Sequence, residues 1–91
     1  MAKIIIIQEN LELVDDFSNN FKLTYRLIEN KNKYNVEVIK RETKQGITIK
    51  EVFHSNNISS YNEASNIINT FIKNKVTPVA INDILDDLKY S

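Results

Sequence analysis

Three runs of alternating apolar and polar residues dominate the centre of the chain. They are Phe21–Glu29, Tyr34–Arg41 and Gly46–His54. Each run is rich in β-branched and aromatic residues and is bounded by turn-type residues, which is typical of strands. Because side chains alternate between the two faces of a strand, each run presents one apolar and one more polar face. The pattern predicts a three-stranded antiparallel meander.

One face of this meander is predicted to be the core face, with Glu51 as its single misfit. Its members are Phe21, Leu23, Tyr25, Leu27, Tyr34, Val36, Val38, Ile47, Ile49 and Phe53. The opposite face is mixed. It carries the cations Lys22, Arg26, Arg41 and Lys50 and the apolar residues Ile28, Ile39 and Val52. A register slip of one residue would expose the aromatic residues to water, so we expect a well-specified register.

The N-terminal segment is predicted to begin with a further strand, Lys3–Gln8. Its four consecutive isoleucines, Ile4, Ile5, Ile6 and Ile7, have high β propensity. A run that is apolar on both faces indicates a strand buried on both sides, or one that pairs with a second copy of the chain. Glu9–Asn20 is ambiguous, because Leu11, Leu13 and Val14 fit either an extended strand or one short helical turn. Residues 15–20 are predicted to form a loop.

Two helices are predicted after the meander. The first runs from about Tyr61 to Asn74, since Ser60 and Glu63 fit a capping box and apolar residues follow at helical spacing. Thr77–Pro78 is a second helix-start signal. The second helix extends to about Lys89, and its apolar positions are Ile81, Ile84, Leu85 and Leu88.

We therefore predict a single α+β domain over residues 1–91. It consists of an N-terminal strand and acidic loop (1–20), a β-meander (21–54) and a helical pair (60–90). The sheet is antiparallel with three to four strands, and both C-terminal helices pack on one face. The other face is exposed unless the N-terminal segment or a second subunit covers it.

The composition bounds the possible function classes. The 91 residues include no cysteine, which excludes disulfides and thiolate metal sites. No apolar window approaches the ~20 residues of a membrane span, and Ile4–Ile7 is too short for a signal-peptide core. We expect a cytoplasmic protein. The net charge is zero, but residues 22–50 hold eight Lys and Arg against three Glu, so a local basic patch is expected.

Candidate chemistry is sparse, and we predict no enzymatic activity and no cofactor. His54 is the only histidine, and a strand-end position explains it without a nucleophile such as Ser55. Asp83, Asp86 and Asp87 share one helical face, which suits Mg²⁺ only if phosphate completes the shell; a solvated acidic face is the simpler interpretation. Tyr25 and Tyr34 either pair across strands or pack in the core.

Two resemblances accompany these patterns. The segments Tyr25–Glu29, Tyr34–Val38, Val76–Pro78 and Ile81–Asp87 resemble a family of short proteins of unknown function from spore-forming low-GC Gram-positive bacteria. That resemblance implies a whole-chain domain and supplies no activity. Three strands followed by a helix that opens Ser60-Tyr61-Asn62-Glu63-Ala64 are more loosely similar to the amino-terminal DNA-binding domain of phage integrases. Such domains read DNA with the exposed sheet face, which here would be Lys22, Arg26, Arg41 and Lys50.

We predict a small interaction or regulatory protein that acts through protein–protein contact, with homodimer formation through the isoleucine strand Ile4–Ile7 as one form of that contact. The alternative is an accessory DNA-binding factor, in regulation or site-specific recombination, that uses the basic sheet face. Ile28, Ile39 and Val52 on that face favour a protein partner, because a phosphate-binding sheet is expected to be more uniformly polar.

Overall fold

The fold is α+β, with one open antiparallel sheet and helices on one of its faces. A computed structural model describes residues 3–17 and 19–81. The strand order is β1-β2-β3-β4. The elements are β1 (Ile4–Val14), β2 (Asn20–Asn30), β3 (Lys33–Lys44), β4 (Ile47–His54) and α1 (Tyr61–Asn74). A second helix begins at residue 78 and is described to residue 81. The remainder of the predicted second helix, with Asp83, Asp86 and Asp87, lies outside the described residues.

Two tight turns set the register between β2, β3 and β4. Lys31 and Asn32 join β2 to β3 with φ of 54° and 64°, and Gln45 and Gly46 join β3 to β4 with φ of 51° and 80°. Positive φ at both central residues defines the type I′ turn, whose twist matches that of the flanking strands. β3 continues to Lys44, beyond the predicted run that ends at Arg41, so the connection to β4 is only two residues long.

The ambiguous N-terminal segment is a strand as far as Val14. Leu11 lies opposite Leu23 and Leu13 opposite Phe21, so the leucines continue the alternation of β2. The ladder is irregular between Ile5 and Ile7, which is a β-bulge. The loop after β1 is closed by the Asp15 carboxylate, which accepts hydrogen bonds from the amides of Phe17 (2.8 Å) and Asn19 (2.9 Å). The bond from Asn19 is the main cause that lowers the pKa of Asp15.

The core lies between α1 and the middle of β2 and β3. Its fully buried members include Leu23, Tyr25, Leu27, Val36, Val38, Ala64, Ile68 and Ile81. Phe53 of β4 meets Phe71 of α1 edge to face, with ring centroids 6.4 Å apart. The buried Tyr25 hydroxyl donates a hydrogen bond to the carbonyl of Val76 at 2.9 Å. This bond ties the second strand to the segment that follows α1.

The ends of α1 explain why its predicted bounds are confirmed. The Ser60 hydroxyl accepts a hydrogen bond from the amide of Glu63 at 3.3 Å, as the capping pattern predicts. At the other end Lys75 adopts the left-handed conformation with φ of 52°, and its amide donates to Ile72. A left-handed residue at this position ends a helix even when it is not glycine.

Several expectations about the core face are wrong. Ile47 and Ile49 are 66% and 50% exposed. Alternation places them on the same face as Phe53, but β4 is an edge strand, and α1 contacts it at Phe53 near its end. For Tyr25 and Tyr34 the core-packing alternative is confirmed: Tyr25 is fully buried, and Tyr34 packs against the core and edge to face against Tyr61, with centroids 5.8 Å apart. Glu51 is not a lone misfit, since it lies opposite Lys40.

Replacing Tyr25 by phenylalanine tests the bond to Val76. The substitution leaves a buried carbonyl without a donor, so we expect Tyr25→Phe to lower the free energy of unfolding by about 1–3 kcal/mol. Urea unfolding at pH 7 measures it. Tyr34→Phe is the control, because the hydrogen bonds of the described residues include none from its hydroxyl; equal losses in both variants would contradict the assignment.

Burial raises the pKa of Tyr25 from 10 to about 12. Between pH 10 and 12 the unfolded chain therefore releases this proton while the folded chain keeps it, so stability falls as the pH rises. We expect the stability advantage of wild type over Tyr25→Phe to shrink across this interval. Denaturant titrations at several pH values measure that difference, and a constant difference would refute the buried-phenol account.

Candidate functional site

The open face of the sheet is organised in rows, because the register aligns one residue from each strand. One row is Gln8, Arg26, Glu37 and His54, and the next is Asn10, Thr24, Ile39 and Val52. The third is Glu12, Lys22, Arg41 and Lys50, which we call the cation row, and the last is Val14, Asn20, Thr43 and Thr48. The four predicted cations thus share a face. Arg26 stands two rows from the other three.

The cation row is only partly neutralised. Lys22 Nζ lies 3.5 Å from a carboxylate oxygen of Glu12, and both side chains are mostly exposed. Arg41 lies directly between Lys22 and Lys50 in the register. Within residues 3–17 and 19–81 neither Arg41 nor Lys50 has an ion-pair partner. Two adjacent positive charges therefore face solvent without a carboxylate.

Arg26, by contrast, is held by a neighbouring acid. Its guanidinium lies 3.2 Å from Glu37, and the second carboxylate oxygen of Glu37 lies 3.5 Å from His54 Nδ1. The Arg26 and Glu37 side chains are only 29% and 18% exposed. Arg26 Nε is buried and has no hydrogen-bond partner among residues 3–17 and 19–81. This cation is engaged within the sheet and is less available to a ligand than Arg41.

Ser55 has a structural role beside His54. Its hydroxyl accepts a hydrogen bond from the Val36 amide at 2.8 Å and donates one to the Asn56 carbonyl at 3.0 Å. His54 itself faces Glu37. The two side chains therefore do not form a nucleophile–base pair. The part of the chain that the structure describes contains no group of three or more potential metal-ligating side chains.

The apolar residues of the open face divide into two kinds. Ile28 and Ile39 are buried although the helices lie on the other side, since both stand in central strands between flanking side chains. Val52, on the edge strand β4, remains 51% exposed. The N-terminal strand joins the edge of the sheet and does not cover this face.

A shallow groove of about 760 Å³ lies at the end of the open face. It is lined by Glu12, Leu13, Val14, Asn20, Phe21, Lys22, Arg41, Thr43 and Thr48. The Thr43 and Thr48 hydroxyl oxygens are 3.1 Å apart. The groove therefore combines two cations, two hydroxyl groups and the Asn20 amide with the exposed side chain of Val14.

The edge of β1 is the second surface of interest. The interpretation that the isoleucine strand is buried on both sides is wrong, because three of its four isoleucines are exposed. Among the described residues β1 pairs with β2 alone. Ile4, Ile5 and Ile6 are 55%, 50% and 38% exposed, whereas Ile7 packs against the core. Ile6 sits at the bulge and has no partner in β2. Pairing with a second copy, the other interpretation, stays a prediction.

Sequence reasoning missed the acids that engage two of the cations, Glu12 and Glu37, and the Thr43–Thr48 pair. Alternation places Glu37 and Thr48 on the same face as Arg41 and Lys50, but it does not give their positions relative to the cations. The signal that could have revealed these neighbours is the length of the turns. Two-residue loops at 31–32 and 45–46 would have aligned Arg26 with Glu37 and Thr43 with Thr48.

The comparisons with known proteins identify one family. A model described as a family of unknown function (DUF6514) matches residues 3–90. The comparison with curated proteins finds no match, and the comparison with solved structures finds none. The expected family of unknown function is thus confirmed, while the bacterial source and the likeness to phage integrases stay predictions. Among the described residues no helix is long and apolar enough to cross a membrane.

Neutralising Glu37 tests the central ion pair of the open face. Glu37→Gln leaves a partly buried guanidinium without a counter-charge, so we expect a loss of about 1–3 kcal/mol in the free energy of unfolding. Glu12→Gln is the matched control, and its exposed pair with Lys22 predicts a change of less than about 1 kcal/mol. Urea unfolding compares them, and equal effects would contradict the different engagement of the two cations.

Proposed function

The chain belongs to the family of unknown function DUF6514, and we propose that it is a non-enzymatic interaction module that pairs with a second copy of itself through the edge of β1. The observation that carries the proposal is the exposure of Ile4, Ile5 and Ile6 along a strand edge that pairs with none of the described residues. A regulatory role would depend on the molecule that the paired form of the protein binds.

An unpaired edge is a ready template for another strand. β1 is 11 residues long, and its outer backbone groups have no partner among the described residues. A pairing strand would supply roughly one hydrogen bond per residue. Natural proteins protect such edges with charges, proline or short strands. Residues 4–7 carry no charge and no proline, and the bulge at Ile6 is the one protective feature of this segment.

The chemistry of the strand favours a second copy as the partner. Three neighbouring isoleucines that keep 38–55% of their surface exposed lose water contact most effectively against another apolar strand. Antiparallel pairing of β1 with β1 of a second copy about a two-fold axis is closed, because each copy uses the same surface. Pairing of β1 with β4 would instead leave two free edges and continue without end.

β4 is the less suitable edge. It has eight residues, and Lys50, Glu51 and His54 interrupt it with charged or polar groups. Ile47 and Ile49 are as exposed as the isoleucines of β1 but lie next to these groups. β4 therefore provides a matched internal control for any test of β1.

DNA binding through the open face is the second candidate function. The Arg41–Lys50 pair favours it, since both cations lack a carboxylate partner among the described residues and arginine binds phosphate or guanine in a bidentate manner. Fewer cations support DNA binding than the four that were predicted from the sequence. Arg26 is held by Glu37, and Lys22 by Glu12.

Sedimentation or light-scattering mass, measured over a concentration series, tests self-association. Wild type is expected to approach twice the mass of one chain as its concentration rises, with little dependence on salt because apolar contacts and backbone hydrogen bonds drive the pairing. Ile4→Lys/Ile6→Lys is expected to remain at the mass of one chain. Lysine at position 4 faces Glu29 across the strand pair, so the fold should tolerate it.

The control is Ile47→Lys/Ile49→Lys, which makes the same chemical change on the opposite edge. Lysine at position 49 likewise faces a glutamate, Glu42. This variant is expected to associate as wild type does. A wild type that keeps the mass of one chain at all concentrations would refute self-association, and equal loss in both variants would remove β1 as its site.

Fluorescence anisotropy with mixed-sequence duplex DNA at two salt concentrations tests the second candidate. Phosphate neutralisation makes affinity fall steeply with salt. Salt-sensitive binding that Arg41→Glu/Lys50→Glu abolishes would support DNA binding, with Lys31→Glu/Lys33→Glu in the first hairpin as the charge-matched control. Absence of binding at low salt would exclude general DNA affinity.

A further inference from the structure

We infer that the cation row and the adjacent Thr43–Thr48 pair form a binding site for a small organic phosphate. The ligand's phosphate would lie over Arg41, and its organic part would lie in the groove at the end of the open face. The inference rests on the register of like charges and on the composition of the groove. It does not depend on association through β1.

The register places like charges side by side. Lys22 is directly opposite Arg41, and Arg41 is directly opposite Lys50. Side chains at opposed positions have Cβ atoms about 4.5–5.5 Å apart, and like charges there are destabilising. Glu12 offsets the charge of Lys22 only. The middle of the row is therefore self-repulsive in the free protein, and a bound dianion would relieve that repulsion.

Hydrogen-bond donors lie on one side of this charge. Thr43 and Thr48 occupy the next row, with hydroxyl oxygens 3.1 Å apart, and the Asn20 amide lies in the same row. Hydroxyl and amide donors together with a guanidinium fork are the groups that proteins use to hold phosphate oxygens. In the neighbouring row on the other side, Ile39 and Val52 lie next to Arg41 and Lys50 and offer no such donors, and the Thr24 hydroxyl of that row donates to Asn10 at 2.9 Å. The donors thus orient a phosphate toward the groove.

The groove suits an organic ligand of modest size. Its volume of about 760 Å³ lies within the range of roughly 300–1,000 Å³ that is common for small-molecule sites. Val14, which is exposed, gives it an apolar side chain beside Lys22 and Arg41. Leu13 and Phe21 also line it, although alternation directs their side chains to the helix side. A continuous nucleic-acid backbone crossing the row would also approach the Glu12 carboxylate. The site therefore fits one phosphate group on a small apolar body better than a run of phosphates.

Isothermal titration calorimetry at constant ionic strength tests the site, with phenyl phosphate and inorganic pyrophosphate as probes. Saturable binding of phenyl phosphate is expected. Arg41→Gln should weaken it at least about tenfold, as expected for loss of a charge-assisted contact. Lys44→Gln is the matched control on the same strand, since Lys44 pairs with Glu42 instead; its affinity should stay within about twofold of wild type.

A second measurement separates loss of a ligand contact from loss of the fold. Without ligand and at low ionic strength, Arg41→Gln should melt at the same temperature as wild type or higher, because the substitution removes the middle charge of a repulsive row. A lower melting temperature, absence of saturable phenyl phosphate binding, or equal weakening in Arg41→Gln and Lys44→Gln would overturn the assignment. Duplex DNA that binds through Arg41 while phenyl phosphate does not would overturn it in favour of nucleic acid.

Discussion

The register of the four-stranded sheet is the constraint on which the other features of this protein depend. Two type I′ turns fix it between β2, β3 and β4, and the leucines of β1 extend it to the N-terminal edge. This register places Tyr25 between Glu9 and Val38 on the helix side, where its hydroxyl reaches the Val76 carbonyl. A slip of one residue would move the helix-side core residues of the slipped strand to the open face.

The same register produces both surfaces that we connect with function. It leaves β1 with one paired and one unpaired edge, and it leaves Ile4, Ile5 and Ile6 in water. On the open face it separates a neutralised cation, Arg26, from a repulsive row centred on Arg41. The first surface suits backbone pairing with a strand, and the second suits an oxyanion. The two lie on different parts of the sheet, so one protein can use both.

Much of the fold could be predicted from the sequence because local signals were strong. Ser60 and the apolar spacing around Ile68 fixed the bounds of α1, and alternation identified the strands. Alternation assigns a face but not its coverage, which is why Ile49 was expected in the core and is half exposed. The order of the strands in the sheet was the other feature that could not be predicted from the sequence. Nothing local in Ile4–Ile7 distinguishes a buried strand from an edge, and the engagement of Arg26 by Glu37 depends on pairing across a turn.

Amide hydrogen exchange of β1, measured as a function of protein concentration, tests the central claim most directly. If the β1 edge pairs with a second copy through the isoleucines, the amides of residues 4–7 that face away from β2 should exchange rapidly in dilute protein and become protected in concentrated protein. Amides of β4 on the opposite edge should not change. Exchange of β1 that is independent of concentration would contradict pairing through this edge.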